Sequence, residues 1–430
     1  MMTPDQRWTK IKAVIRVSSG NFLEMYDFII FGYYAKAIGQ TFFPSDNDYA
    51  SLMLSFMTFA AGFMMRPIGA LVLGAYIDHI GRRKGLLLTF GLMSVGTLSI
   101  AVTPGYETIG LLAPVLIVLG RLLQGFSAGV ELGGVSVYLS EIATPGHKGF
   151  YVSWQSASQQ IAVVFSGALG AVLAAYVSPQ DMSARGWRIP MLVGCLIIPF
   201  LFWLRSSLEE TEAFAKRTHH PTMREVIRVT AANWPIVLIG VMMVIMTTVS
   251  FYTITAYTPT FGKEVLKLST MDGLVVTLCI GIANLFWLPV MGAVSDRIGR
   301  PPILIACTLI AIISAYPIMH WLVQDPSFER LLMVELWLSF LYGSYNGAMV
   351  VYLTEIIPQQ VRTAGFSMAY SLATCLGGST PLIATWLIHE TGDKAIPGAW
   401  LSLAAVIGLI AALLHRRFAL TQWAANVPAS

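Results

Sequence analysis

Nine residues from Gly74 to Arg82 (Gly-Ala-Tyr-Ile-Asp-His-Ile-Gly-Arg) return from Gly292 to Arg300 as Gly-Ala-Val-Ser-Asp-Arg-Ile-Gly-Arg, six of the nine unchanged. Their aspartates, Asp78 and Asp296, stand 218 positions apart in a chain of 430 residues. A second string, Val137-Tyr-Leu-Ser-Glu141-Ile, returns as Val351-Tyr-Leu-Thr-Glu355-Ile at an offset of 214. Each copy is followed by a proline (Pro145, Pro358) and then a Gly-Phe pair at Gly149 and Gly365. Two matches at nearly one offset, about half the chain, require a fold made of two copies of one unit.

That unit belongs in a membrane. The chain is 56% hydrophobic and 12% charged, about half the charge of an ordinary soluble domain. Apolar runs of about 20 residues are long enough to cross a hydrocarbon core. Twelve are read: 17–38, 51–77, 85–103, 110–138, 150–177, 188–204, 234–258, 270–291, 302–322, 331–354, 363–388 and 397–415, numbered here as spans 1 to 12. The expected fold is an all-α membrane protein of twelve transmembrane helices in two pseudo-symmetric six-helix bundles. The first bundle is expected over 1–204, a cytoplasmic linker over 205–232 and the second bundle over 233–430. The linker is the longest polar stretch and reads as a solvated connection with a short surface helix. Arg7, Lys10, Lys12 and Arg16 precede span 1 without a small-residue cleavage site, which reads as an uncleaved first span. Cys195, Cys279, Cys307 and Cys375 all fall inside spans with no CxxC spacing, so neither a disulfide framework nor a zinc site is expected.

Lysine and arginine set the orientation. With both termini inside, 18 fall on the cytoplasmic side and six on the outside, leaving Lys36, Arg66 and Arg121 near or within spans. Both repeated strings then lie at cytoplasmic ends of equivalent spans, so the two copies run parallel. The net charge of +4 follows from this bias and gives no reason to invoke nucleic acid.

The paired Gly-x-x-x-Asp-x-x-Gly-Arg hairpins, Arg121-x-x-Gln-Gly on span 4 and the Glu-x-x-x-Pro after it resemble the major facilitator superfamily. More narrowly, four strings resemble the metabolite:proton symporters, and among them the bacterial citrate and tricarballylate carriers. They are Gly20-Asn-Phe-Leu-Glu24-Met-Tyr-Asp27-Phe, Met65-Arg66-Pro-Ile-Gly, Gly120-Arg-Leu-Leu-Gln-Gly-Phe-Ser-Ala-Gly-Val-Glu131 and Leu208-Glu-Glu-Thr-Glu-Ala-Phe. Trp154-Gln-Ser-Ala-Ser-Gln-Gln and Tyr257-Thr-Pro-Thr belong to the same likeness, which runs from about residue 12 to 400. It implies alternating access around a site near the bilayer midplane.

Charge at membrane depth is costly and usually lines a cavity or is paired. Here it gathers in the first half: Glu24 and Asp27 on span 1, Arg66 on span 2, Arg121 and Glu131 on span 4. In the second half the middle of every span is uncharged, with Glu335 near an outer end. Asn21, Glu24 and Asp27 are three apart and share one shoulder of a helix. Two carboxylates so placed repel, and at least one is expected to hold a proton more readily unless an arginine opposes it, which is the tension a coupled proton needs. Arg121 is the expected switch partner of Asp27, the alternative being a permanent ion pair between spans 1 and 4. The likeness to sugar porters points to the same two residues. Glu131 either carries a second proton or braces the cytoplasmic gate. Arg66, about 18 Å up the helix from Asp78, either binds a substrate carboxylate or braces an acid.

Neutral side chains complete the expected pocket: Gln124 on span 4, Tyr151, Gln155, Ser158 and Gln159 on span 5, Tyr252 and Tyr257 on span 7, Asn284 on span 8, Tyr345 and Asn346 on span 10. Many hydroxyls in membrane helices merely bond their own backbone, so only part of this set is expected to touch substrate. Asp78, Arg82, Glu141, Asp296, Arg300 and Glu355 read as conformational residues. In related carriers the hairpin contact stabilises the outward-open state.

The expected activity is import of a small tricarboxylate with protons, by a monomer in the bacterial inner membrane, its partners being an anionic metabolite, protons and the lipid bilayer. No cofactor or metal is expected; the coupling ion is H+, with Na+ left open. A dicarboxylate, an aromatic acid or a zwitterion such as proline or betaine would suit the same machine. A membrane sensor is a remote alternative. The sequence has no HExxH, no P-loop and no nucleophile with a deep histidine base, so an enzyme or an ATP-driven pump is not expected.

Overall fold

The computed structural model describes residues 4–18, 21–80, 82–129, 131–206, 223–357 and 362–425. Among them every regular element is helical. Eight helices are long and apolar enough to cross a membrane, and Pro179–Gly186 with Arg188–Trp203, bent by 50°, makes a ninth. Leu87–Val102 is a shorter apolar helix in span 3. Spans 1 and 10 complete the twelve. Both are less apolar: span 1 holds Glu24, Asp27 and Lys36, and span 10 holds Tyr342, Tyr345, Asn346 and Tyr352 among its small residues.

Several spans expected to be continuous are broken. Span 1 is two helices, Asn21–Tyr33 and Ala35–Phe42, meeting at Tyr34, and Pro4–Ser18 before it is also helical, residues 19 and 20 lying outside those described. Span 2 is Asp48–Met64 and Arg66–Ile80. Pro67 causes this break: it has no N–H for the carbonyl of Phe63, and its ring crowds that carbonyl. The Phe63 oxygen accepts instead from the Met65 N–H and from the Cys375 thiol of span 11, at 3.3 Å. Span 4 is described as Leu112–Ala128 and Glu131–Ile142 and runs as one stretch from Leu112 to Ile142, residue 130 lying outside the described residues. Span 7 runs past its expected end through two wide π-helical turns, Thr253–Tyr257 and Phe261–Val265, on either side of Pro259. Span 11 divides at Gly378 into Arg362–Gly377 and Thr380–Thr391.

Outer helix ends are fixed by caps. Ser269 and Asp272 form a reciprocal capping box on span 8, and the Asn47 and Ser327 side chains accept from the first turns of spans 2 and 10. On the inner side Gly299 takes a φ of +90°, open mainly to glycine, and the chain turns directly from span 8 into span 9.

Spans 5 and 8 form the most extensive contact between the two bundles, and small residues allow it. A side chain at Gly292 would meet the Gly149 carbonyl at 2.6 Å, and one at Gly167 would meet the Leu278 backbone at 3.1 Å. Spans 2 and 11 make the opposite contact through Phe63 and Cys375. Helix Met223–Ala232 stands in the expected linker, whose residues 207–222 lie outside those described.

Candidate functional site

Two arginines and two acids are buried together in the first bundle. Arg66, at the break in span 2, donates from Nη2 to Glu24 Oε1 at 2.5 Å, with side chains 2% and 3% exposed. The bracing reading of Arg66 thus describes this conformation. Its guanidinium also lies over the rings of Phe28 and Phe63, at 4.9 and 5.0 Å. Arg121 is caged by Phe31, Phe28 and Phe59 at 4.3, 4.5 and 5.2 Å. Ring faces carry partial negative charge, which offsets part of the cost of holding a cation out of water.

The expected direct pair between Asp27 and Arg121 is not formed. Arg121 and Gln124 are three apart on one helix, so Arg121 Nη1 donates to Gln124 Oε1 at 2.6 Å. The amide nitrogen of Gln124 in turn donates to Asp27 Oδ2, which the Thr97 hydroxyl also contacts. Gln124 therefore relays the arginine's orientation to the acid. Two side chains from the second bundle, Tyr252 and Tyr370, lie close enough to feel the charge of Arg66. Tyr252 packs edge-on against Phe63 at 5.0 Å and Phe59 at 6.1 Å, so it also touches the cage.

In this core and on spans 5, 8 and 10, several buried polar atoms have no hydrogen-bond partner among the described residues. They include both amide atoms of Asn21, Asp27 Oδ1, Arg66 Nε, Arg121 Nε and Nη2, Gln155 Nε2, both amide atoms of Gln160, Asn284 Nδ2 and Asn346 Oδ1. Buried donors and acceptors are ordinarily satisfied, so a concentration of unsatisfied ones marks a place where another polar species belongs. Cationic nitrogens, amides and a carboxylate oxygen suit a hydrogen-bonding anion and a proton. Glu24 and Glu131 line a small cavity of about 10 Å³ with Thr89 and Ser127, close to the space one water needs.

Other expected pocket residues are placed elsewhere or already engaged. Tyr151 is half-buried at the cytoplasmic start of span 5, with the Lys10 amine 5.5 Å from its ring. The Ser158 hydroxyl donates to the Gln155 carbonyl, and the Tyr345 hydroxyl to the Met243 carbonyl. Tyr257 accepts from Thr385 in the outer half of the second bundle. Asn284 accepts from Ser339 and Asn346 donates to Tyr342, each keeping one atom spare. Gln159 is buried on span 5.

Both ends of the passage are closed. On the inner side Asp296 accepts from the backbone N–H groups of Gly149 and Phe150, at 2.7 and 3.0 Å, across the boundary between bundles. Arg300 holds it at 2.8 Å and also reaches Glu355 at 3.2 Å. Glu141 is exposed at the end of span 4. The side chains of Asp78 and Arg82 lie outside the described residues, so only the second hairpin is seen. On the outer side Lys36 of span 1 bonds Glu264 of span 7 at 2.9 Å and Asp48 at 3.4 Å.

Sequence reasoning missed Thr97, Tyr370, Gln160 and the Lys36–Glu264 pair. It also passed over Glu335, which is 2% exposed and accepts from Thr258 at 3.0 Å. Only Lys36 and Glu335 carried a signal, as charges within apolar runs.

The sequence profile of the Major Facilitator Superfamily matches residues 17–380 and 273–423. A citrate-proton symporter of Klebsiella pneumoniae is 59% identical over 412 residues, covering 95% of this chain and 93% of that one. A proline/betaine transporter of Salmonella typhimurium is 32% identical over 413 residues, covering 93% and 82%. Among solved structures, the E. coli xylose transporter XylE in a partially occluded inward open conformation is similar with a TM-score of 0.74 at 18% identity, covering 94% of this chain and 96% of that one.

Proposed function

The chain belongs to the major facilitator superfamily, and from that premise we propose that it imports citrate, or a near tricarboxylate such as tricarballylate, together with protons by alternating access. It is a transporter and not an enzyme. One observation carries the substrate: the 59% identity to a citrate-proton symporter holds over 95% of the chain. The 32% identity to a proline/betaine transporter leaves a zwitterion as the second reading.

The buried core supplies a physical route to coupling. Arg66 and Arg121 are the cations that meet substrate carboxylates. While Glu24 is ionised it occupies Arg66; a proton on Glu24 frees that guanidinium for the substrate. Asp27, oriented through Gln124, takes a second proton. Moving a trianion inward against about 100 mV costs on the order of 7 kcal/mol, and three accompanying protons cancel it. With only two arginines at this depth, a partly protonated substrate fits better than a bare trianion, its remaining oxygens held by amides and hydroxyls. The coupling ion is H+. The carrier works as a monomer in the bacterial inner membrane with both termini cytoplasmic, as the excess of Lys and Arg on that side favours.

Uptake of labelled citrate, tricarballylate and betaine into proteoliposomes under imposed pH gradients tests this reading. Citrate or tricarballylate should accumulate when the outside is acidic, and a protonophore should abolish it. Accumulation of betaine alone would overturn the substrate, and accumulation driven by sodium without a pH gradient would overturn the ion.

A further inference from the structure

A cavity of about 100 Å³ opens on the outer side where the bundles meet, lined among others by Lys36, Lys263, Glu264, Ser183, Thr260 and Thr270. Two amines and one carboxylate give it a positive balance. Asp48, the other partner of Lys36, is not part of the lining. Lys263 is exposed and has no salt-bridge partner among the described residues. Lys36 is held across the boundary by Glu264, one turn of chain from the place where the Thr260 hydroxyl meets the Gly32 carbonyl at 3.4 Å. The same ion pair therefore lines the cavity and closes the outer end of spans 1 and 7.

We propose that this cavity is a vestibular site for polycarboxylates, at which a substrate carboxylate takes Lys36 from Glu264 and so releases the outer closure. The inference rests on the carboxylate reading of the substrate given above. Strength decides that the exchange is feasible. The Lys36 and Glu264 side chains are 34% and 22% exposed, so their attraction is screened and an incoming carboxylate replaces it at little net cost. The Glu24–Arg66 pair, almost fully buried, could not be opened so readily by a solute. A polycarboxylate suits the site better than a single charge does: one carboxylate is held by Lys263 while another competes for Lys36. A recess of positive balance also raises the local concentration of anions before the passage opens.

The test uses the full-length carrier in proteoliposomes. An impermeant amine-acetylating reagent, with modified lysines located by peptide mass, should label Lys263 less in the presence of citrate and equally with or without betaine. Lys263→Gln should raise the KM for citrate about threefold, as loss of one exposed charge contact implies, and added salt should shrink the difference. Glu264→Gln should lower KM, because Lys36 is then held only by the exposed Asp48, at 3.4 Å. Labelling of Lys263 indifferent to citrate, or wild-type KM in both variants, would overturn the proposal. The labelling arm uses the unaltered chain, so it decides even if a variant does not insert. Absence of citrate uptake by the unaltered chain would instead bring down the carboxylate reading, and this inference with it.

Discussion

At Glu335 one hydroxyl hydrogen is shared among three oxygens. Thr258 Oγ1 lies 2.9 Å from the Ile254 carbonyl, 3.1 Å from the Thr253 carbonyl and 3.0 Å from Glu335 Oε1. The carboxyl is 2% exposed and no cation pairs with it among the described residues, so an amide of the same size can take its place. Glu335→Gln should then leave thermal unfolding in detergent near wild type, while Glu335→Leu loses about 1 kcal/mol with the hydrogen bond. Equal damage from both changes would show that the charge itself is needed. Asp27 differs, since Gln124 offers it an amide donor whichever form it takes. Asp27→Asn should keep those contacts and lose the exchangeable proton. Citrate accumulation driven by pH should fall to background, with citrate–citrate exchange within about threefold of wild type; undiminished accumulation would clear Asp27 of coupling. The four core charges were legible because Glu24, Asp27, Arg66 and Arg121 interrupt apolar runs. Thr97 and Thr258 were not, because a hydroxyl in a membrane helix usually bonds its own backbone and these do so while also serving an acid.

The elements show the same division. All twelve spans could be read, since burying a backbone in lipid demands uninterrupted apolar helices. The breaks inside them could not be placed by hydropathy, because Tyr34, Met65 and Gly378 all lie within apolar runs. The proline in Met65-Arg66-Pro67 did carry the signal. Pro67→Ala should restore a bond to the Phe63 carbonyl, straighten span 2 and draw Arg66 away from Glu24. The expected result is an unchanged or higher unfolding temperature with citrate uptake several-fold slower, because a helix held straight opposes the motion that transport needs. Uptake at the wild-type rate would mean that the break serves packing alone.

For the whole molecule, the repeat predicts two equivalent bundles but not how firmly each end is held. The outer closure is a lysine–carboxylate pair partly in water, whereas Asp296 on the inner side accepts two backbone N–H groups at the start of span 5 and is 5% exposed. A carboxylate at a helix N-terminus gains from the charge-assisted bonds and from the helix dipole together. The inner end should thus resist opening more than the outer, and removing that charge should tilt the resting balance inward. Asp296→Asn keeps the size of the side chain and one acceptor oxygen. A loss of 1–2 kcal/mol raises the inward-open population by roughly 5–30-fold while that state remains the minor one. Ser153 is buried at this contact, against Gly292. Alkylation of Ser153→Cys should therefore be faster by about fivefold or more when Asp296→Asn is added. Equal alkylation rates would mean that backbone packing of Gly149 on Gly292, and not the aspartate, holds the inner end closed.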